Sequence, residues 1–447
     1  MNHKRATTEG ADTWPDMHLF MRETVQSVAL TKPCIRESLC SLISGEKPLD
    51  VTFIIKWAGV CTARLAAIYL QDAIRYVWGI DVPFVVHAAY DTDDTCREVM
   101  RKSSAIPGVA LPIRHIFSDV TLGSCPTFME RLDSKNQELL GRIHAQSSQL
   151  NAAERRVFVH QLIGEYKQWI LDHRHEFNHD AEAASHCFSH DTPCRHEPET
   201  GSFVFQFVSP ECIGWSARGN QLYWFHPTNQ SLIVWSLQLK FVKTKMFVIE
   251  CTPQLDVSFI QELLPEFGIT PVIVEPVEFA HPVTGKRVFV NGRLKECYTP
   301  VLEYGIGTFQ LHCFRKLRVN GSVFLLAGDA EIVDYLNDLC EMKHRVRPFL
   351  KKPDDARCVL ATREKGRLEG HERLAQAWRR EATGGRGPPG GSESWYLCTF
   401  NLTQVVAHHK KPDAICPRPL TNYMPWSEVR KGPLVPREQW ALQGLYC

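Results

Sequence analysis

Long hydrophobic runs, an excess of either charge, a spaced cysteine framework and internal repeats are all missing from this chain of 447 residues. No stretch reaches the roughly 18 to 20 uninterrupted apolar residues of a membrane-spanning helix, so a soluble protein is expected. The 51 Lys and Arg stand against 50 Asp and Glu, a formal net charge of +1. No overall basic excess therefore announces a nucleic-acid partner, and any such surface must be local. Beyond the short HKR near the start there is no Lys/Arg cluster to act as a nuclear address. The opening MNHKRATTEGADTWPD has no apolar signal core, and the 16 cysteines are scattered through hydrophobic segments. Together these point to a reducing, intracellular compartment.

What is present suits a globular chain, since 44% hydrophobic residues can bury one large core or two moderate ones. After a polar lead at 1–47 with a little helix, the first strong signal is LDVTFIIKWAGVCTARLAAIYLQDAIRYVWG. A β-rich run from Val51 to Ile55 meets a turn at Ala58-Gly59, then a helical pattern carrying Leu65, Ile68, Tyr69 and Ala73. VPFVVHAAYDTDDTCREVMRK repeats the unit, and IRHIFSDVT gives a third strand with Asp119 just after it. Residues 126–180 are charged and helical in period, with His173, His175 and His179 expected at the surface near a helix end. A Cys/His cluster at 186–196 leads into a strand at 203–208. The rhythm continues through the helix SLIVWSLQLK, the strand KMFVIECTP, the helix FIQELLPEFG and the strand TPVIVEPVEF, to about residue 290. This predicts an α/β fold with a mostly parallel sheet and ligand sites at the strand carboxyl ends. Beyond it lie mixed β segments, a charged stretch at 351–382 and the flexible TGGRGPPGG at 383–391.

A glycine turn, an acid-ended strand and a third strand ending in Asp are a usual way to hold an adenosine. The candidates are Trp57 and Gly59 in the first turn, Asp91 or Asp93 for the ribose, and Asp119 near the adenine edge. A strand-end Asp also serves as a helix cap or turn residue. In FVSPECIGWSARG, Cys212 follows a strand on a loop that precedes a helix, where backbone N–H groups and a helix N-terminus lower a thiol pKa. A free cysteine is also a common buried hydrophobe. Glu250 ends the neighbouring strand, so thiol and carboxyl would share one crevice. That pair suits addition to a pyrimidine, Cys212 attacking C6 while the acid holds N3.

At this point the order of segments resembles the cytosine-C5 methyltransferases, over roughly residues 48–447. SPECIGWSARGNQLYWFHPTNQSLIVW is similar to the family's Pro-Cys loop with its downstream Ser216 and Gly219. KMFVIECTPQLD resembles the Glu-Asn-Val strand, and FAHPVTGKRVFV the Gln-x-Arg-x-Arg segment. PRPLTNYMPWSEVRKGPLVPREQWALQG resembles the segment after target recognition, with Leu420-Thr421 and Glu438 to Gly444. The resemblance implies a Rossmann-like S-adenosylmethionine-dependent sheet with helices on both faces and a smaller mixed target-recognition region. The chain then divides into the lead 1–47, a catalytic domain 48–292 with an insertion at 126–200, a target-recognition-like region 293–415, and a segment 416–447 returning to the catalytic domain. It implies S-adenosylmethionine as cofactor, DNA (or RNA) as partner, a nucleus if the DNA is genomic, Cys212 as nucleophile, Glu250 on N3 and Arg287 orienting the base or the Cys loop.

The family's pattern is broken at several positions. Glu211 stands where the family has Pro, and a carboxylate beside a thiol opposes its ionisation. Cys61 replaces the second turn glycine, and Cys251 replaces the Asn that braces the cysteine loop. Val283, Gly285 and Arg287 stand at the Gln-x-Arg-x-Arg positions, with Lys286 as a substitute cation. The Gly-Asn helix that closes the cofactor pocket is not found before Cys447. An impaired, binding-only relative is therefore the alternative. Separately, Cys187, His190, Cys194 and His196 carry zinc-binding side chains, but their spacing matches no standard zinc module, so a solvated histidine-rich loop with no metal is the expectation and a zinc set the alternative.

Overall fold

The structure, a computed structural model, describes residues 19–44, 50–59, 61–108, 110–180, 182–198, 203–216, 221–242, 244–296, 312–316, 321–342, 356–357, 359–382, 399–402, 425–427 and 430–442. The 383–391 run, Gly219, Leu420-Thr421 and Gly444 lie outside the described residues. No helix among the described residues is long and apolar enough to cross a membrane.

In chain order the helices are α1 (Phe20–Thr31), α2 (Cys34–Ser44), α3 (Thr62–Trp78), α4 (Asp94–Ser104), α5 (Pro126–Ser147), α6 (Ala152–His173), α7 (Pro227–Gln238), α8 (Val257–Leu263), α9 (Asp329–Met342), α10 (Thr362–Ala382) and α11 (Pro436–Ala441). The strands are β1 (Val51–Lys56), β2 (Phe84–Tyr90), β3 (Ile113–Phe117), β4 (Ala184–Cys187), β5 (Thr192–Arg195), β6 (Phe203–Val208), β7 (Thr244–Cys251), β8 (Phe267–Val274), β9 (Arg287–Leu294), β10 (Thr399–Asn401), β11 (Pro425–Ser427) and β12 (Gly432–Pro433). Chain contacts divide into two units, one of residues 21–274 and 287–308, the other of 1–20, 275–286 and 309–447.

The first unit holds a seven-stranded sheet in the order β3-β2-β1-β6-β7-β9-β8. β3, β2, β1, β6 and β7 run parallel, whereas β9 is antiparallel to both its neighbours. Strands covered on two faces read as nearly continuous apolar runs, and VTFIIK and FVFQFV do so. Side chains alternate along β1: Phe53 and Ile55 pack with α3 and α4 residues Ala67, Ile74 and Met100, while Ile54 faces the opposite core with Ala88 and Tyr90. A larger core joins β6, β7 and β9 to α5, α6, α7 and α8 through Val208, Phe247, Val290, Leu139, Tyr166, Trp235 and Phe259. Trp224, Ile170 and Phe247 in this core are fully buried.

Residues 126–195 build two long helices and a hairpin. Asn151 starts α6 with a reciprocal capping box: its side chain accepts from the N–H of Glu154, whose carboxylate accepts from the Asn151 N–H. The hairpin β4–β5 docks on the sheet's edge, where the Phe188 N–H donates to the Ile116 carbonyl of β3 at 2.8 Å. His179 is buried in this region, not at the surface as expected: its side chain lies under Gly123, where an added Cβ would sit 2.8 Å from the imidazole.

The second unit has its own core of Ile332, Leu336, Leu360, Leu368, Leu402 and Trp426, with β10-β11-β12 antiparallel. Glu438, fully buried, is held by Arg430 at 2.6 Å from each carboxylate oxygen and accepts from the Ala327 N–H.

Candidate functional site

Parallel strands leave a crevice at their carboxyl ends, and the loops there carry the residues in question. After β1 the chain passes through Trp57, Gly59 and Cys61 with φ of 52°, 53° and 65°. These alternating left-handed residues wind the turn that opens α3. A Cβ on Gly59 would meet nothing within 4 Å, so space in front of the turn is open. Cys61 takes the same left-handed backbone without glycine's freedom, and burial pushes its thiol pKa up to about 12.

Asp91 joins two turns. Its Oδ2 accepts from the Gly59 N–H at 2.7 Å and its Oδ1 from the Asp93 N–H at 2.9 Å. A carboxylate offers about four lone-pair sites, so two remain for a ligand. Asp93 is exposed and caps α4, accepting from the Cys96 N–H at 2.9 Å; that backbone bond holds its carboxyl below its usual range. Asp119, half-buried after β3, spends one oxygen on the N–H and hydroxyl of Thr121, at 2.8 and 2.9 Å.

Charged groups line the same strand ends. Lys56, the last residue of β1, is buried with its Nζ 3.5 Å over the Tyr90 ring. Burial brings its pKa down to about 8 against the opposing pull of Glu197 and Asp119, and burial lifts Glu197 to about 7. Neither residue was singled out from sequence, although a lysine closing an apolar strand is a readable signal.

The loop after β6 begins where the Ser209 N–H donates to the Lys56 carbonyl at 3.3 Å. The Cys212 carbonyl accepts from the N–H groups of Trp215 and Ser216, at 3.0 and 2.8 Å, which curls the loop into a turn. Gly214 is required there, since an added Cβ would lie 2.7 Å from His226 Cβ. Asn229 of α7, fully buried, accepts from Trp215 Nε1 at 3.0 Å and donates to the Tyr223 carbonyl, while the Tyr223 N–H donates to the Gly214 carbonyl at 2.9 Å. A different amide thus braces the loop in place of the one missing at Cys251, which is buried with its thiol pushed up to about 12. No local signal marks Asn229, because its contacts close only in the fold.

Cys212 is half-buried, and its thiol pKa is raised, first by burial, then against Arg287 by Glu250 and, least, by Glu211. This corrects the expectation of an acidified thiol: α7 begins only at Pro227, and desolvation outweighs every nearby charge. Glu250 and Arg287 form an ion pair. The antiparallel register of β7 and β9, with Glu250 opposite Phe289, brings the first residue of β9 beside the end of β7. Cys212, Glu250 and Arg287 therefore share one electrostatic neighbourhood. Val283, Gly285 and Lys286 belong to the other unit.

The candidate zinc set changes by one member. Cys187, His190 and Cys194 gather with His115 of β3, not with His196. His196 is buried with its ring edge-on to Phe117 at 4.8 Å.

Five parallel strands followed by an antiparallel strand inserted before the last is the arrangement that decides the fold. The fold is α/β, a seven-stranded sheet flanked by helices. No protein-family model matches the sequence, and no curated protein is detectably similar to it. Similar solved structures include the Dnmt2 methyltransferase of S. pombe, 12% identical with a TM-score of 0.34, covering 66% of this chain and 65% of that one. The Entamoeba histolytica methyltransferase EhMeth is 15% identical with a TM-score of 0.32, covering 64% of this chain and 65% of its own. A putative DNA modification methyltransferase from an E. coli prophage is 14% identical with a TM-score of 0.39 and 89% coverage of both chains. The chain thus spans 65% of the length of the first two structures. Within this chain's own sheet, Gly59, Asp91 and Asp119 follow β1, β2 and β3, and the thiol and acid follow or end β6 and β7.

Proposed function

We propose that this protein is an S-adenosylmethionine-dependent methyltransferase acting on C5 of cytosine in DNA. One juxtaposition carries the reading: Cys212 on the loop after β6 feels the charges of Glu250 and Arg287 at the adjoining strand ends. A cofactor is compatible with the open space at Gly59 and with the anchored carboxylate of Asp91. Trp57, Gly59, Asp91 and Asp119 would hold it, and when bound it supplies the methyl group taken by C5.

The base would be turned out of its helix to reach the crevice. Cys212 loses its proton to solvent and its Sγ bonds to C6, making C5 nucleophilic. Glu250 takes up a proton from solvent when the base binds and donates it to N3 as Sγ adds to C6, so the ring stays neutral, while Arg287 holds Glu250 in place and lowers the cost of the thiolate. After C5 is methylated, its proton leaves to solvent, the Sγ–C6 bond breaks to release the thiolate, N3 returns its proton to Glu250, and the thiolate takes a proton from solvent to restore the thiol. The region 293–415 would face the nucleic acid with local Arg and Lys on phosphates, and a nuclear location would follow from a genomic substrate. A binding protein without turnover is the second reading, favoured by the raised Cys212 thiol.

Covalent capture tests the proposal. With S-adenosylmethionine and 5-fluorocytosine-containing DNA, or RNA in a parallel arm at matched salt, a denaturation-resistant adduct is expected with DNA and is lost in Cys212→Ala. An adduct with RNA alone moves the chemistry to that polymer. No adduct with either, while the cofactor still raises the Tm, leaves the binding reading.

A further inference from the structure

Two thiols and two imidazoles converge at the edge of the sheet, on β3 and the β4–β5 hairpin. Cys187 Sγ lies 3.7 Å from His115 Nδ1 and 3.6 Å from His190 Nδ1, and Cys194 Sγ lies 3.3 Å from His190 Nδ1. All four ligand atoms fall within 4.8 Å of one another. A tetrahedral zinc with Zn–S of about 2.3 Å and Zn–N of about 2.0 to 2.1 Å sets an S···N edge of about 3.6 Å. Three of the S···N edges, at 3.3, 3.6 and 3.7 Å, lie close to that value. We infer that His115, Cys187, His190 and Cys194 hold one zinc ion as a closed structural site.

The local fold explains how the ligands meet. In the β4–β5 hairpin Cys187 pairs with Thr192 and Ser185 with Cys194, so the period of two puts both thiols on one face. The turn between them folds back through Asp191, at φ 56°, and the N–H groups of His190 and Asp191 both donate to the Cys187 carbonyl, at 3.2 and 2.8 Å. The fourth ligand comes from β3, far away in sequence, so no spacing rule within 187–196 reveals the set.

Charge and chemistry agree with this ion. On binding, each thiol gives its proton to solvent, and each neutral imidazole offers its Nδ1 lone pair. Two thiolates then cancel the charge of Zn²⁺, so the complex is neutral where Cys187 is fully buried. Paired thiolates and imidazoles in a tetrahedral set favour zinc over harder cations. Four protein ligands leave no open position, which makes the site structural, not catalytic. Its mechanical role is to staple the hairpin over β3, the outer strand whose free edge would otherwise be exposed. β3 leads directly to Asp119, so the ion also steadies that side of the crevice. The site stands whether or not Cys212 is a nucleophile.

The full chain, purified under reducing conditions without chelator, is expected to carry one zinc per chain by elemental analysis. Cobalt(II) exchanged into the intact protein should give the intense visible bands of a tetrahedral two-thiolate centre. Cys187→Ser combined with Cys194→Ser should lose the metal, while Cys34→Ser, at an exposed cysteine, keeps it. Chelation of the unaltered protein should lower the Tm by several degrees and added zinc restore it, a readout that survives if the double variant fails to fold. Absence of zinc together with no cobalt uptake overturns the inference, as does metal retained by a folded double variant. A Cys187–Cys194 disulfide found by mass spectrometry in the reduced preparation overturns it too.

Discussion

Cys212 meets two opposing influences. Burial holds its proton on, and the guanidinium of Arg287 pulls it off. Because the thiolate is the reactive form, removing that cation lowers the thiolate fraction at every pH below the midpoint. Alkylation of Cys212 by iodoacetamide, followed by peptide mass mapping across pH, should therefore show a midpoint above that of a cysteine in a short peptide. Arg287→Met should move it higher, and Glu250→Gln, which removes a like charge, should move it lower. An Arg287→Met midpoint that stays or falls contradicts the arrangement. Glu211, adjacent in sequence, is the smallest of the charges acting on the thiol, which shows why chain neighbours are a poor guide to a side chain's field.

The turns between strands and helices separate two acids that look interchangeable as DTD. Asp93 belongs to α4 as its cap, and Asp91 belongs to the crevice through Gly59. Asp93→Ala should cost about 1 kcal/mol in urea unfolding while leaving S-adenosylmethionine affinity within about twofold, a tolerance of about 0.4 kcal/mol. Asp91→Ala should weaken that affinity by isothermal titration, since it unties both turns and removes the remaining acceptor sites. Loss of cofactor binding in Asp93→Ala at full stability would return the ribose role to Asp93. The end of α8 shows a simpler rule: FIQELLPEFG reads as a longer helix, but the helix stops at Leu263 ahead of Pro265, a residue that cannot continue it.

For the sheet as a whole, β9 decides the boundary of the folding unit. It pairs with β7 on one side and β8 on the other, so a chain ended at Val274 keeps both partners and loses what joins them. Such a truncation should expose two unpaired edges and aggregate, as size-exclusion chromatography would show; a monodisperse product with native circular dichroism contradicts this topology. Much of this architecture was legible beforehand. The strand expected at 203–208 forms at Phe203–Val208, and the run from Val51 becomes β1, because alternation, apolar runs and turn residues act within a few residues of one another. The α/β class and the placement of Asp91, Asp119, Cys212 and Glu250 near strand ends followed from that local order. The reversed direction of β9, the bracing of the Cys loop by Asn229, the burial of His179, the entry of His115 into the Cys/His cluster and the raised thiol of Cys212 did not. Each depends on which distant segment packs alongside, and both desolvation and ligand convergence are set by those neighbours, which only the closed fold supplies.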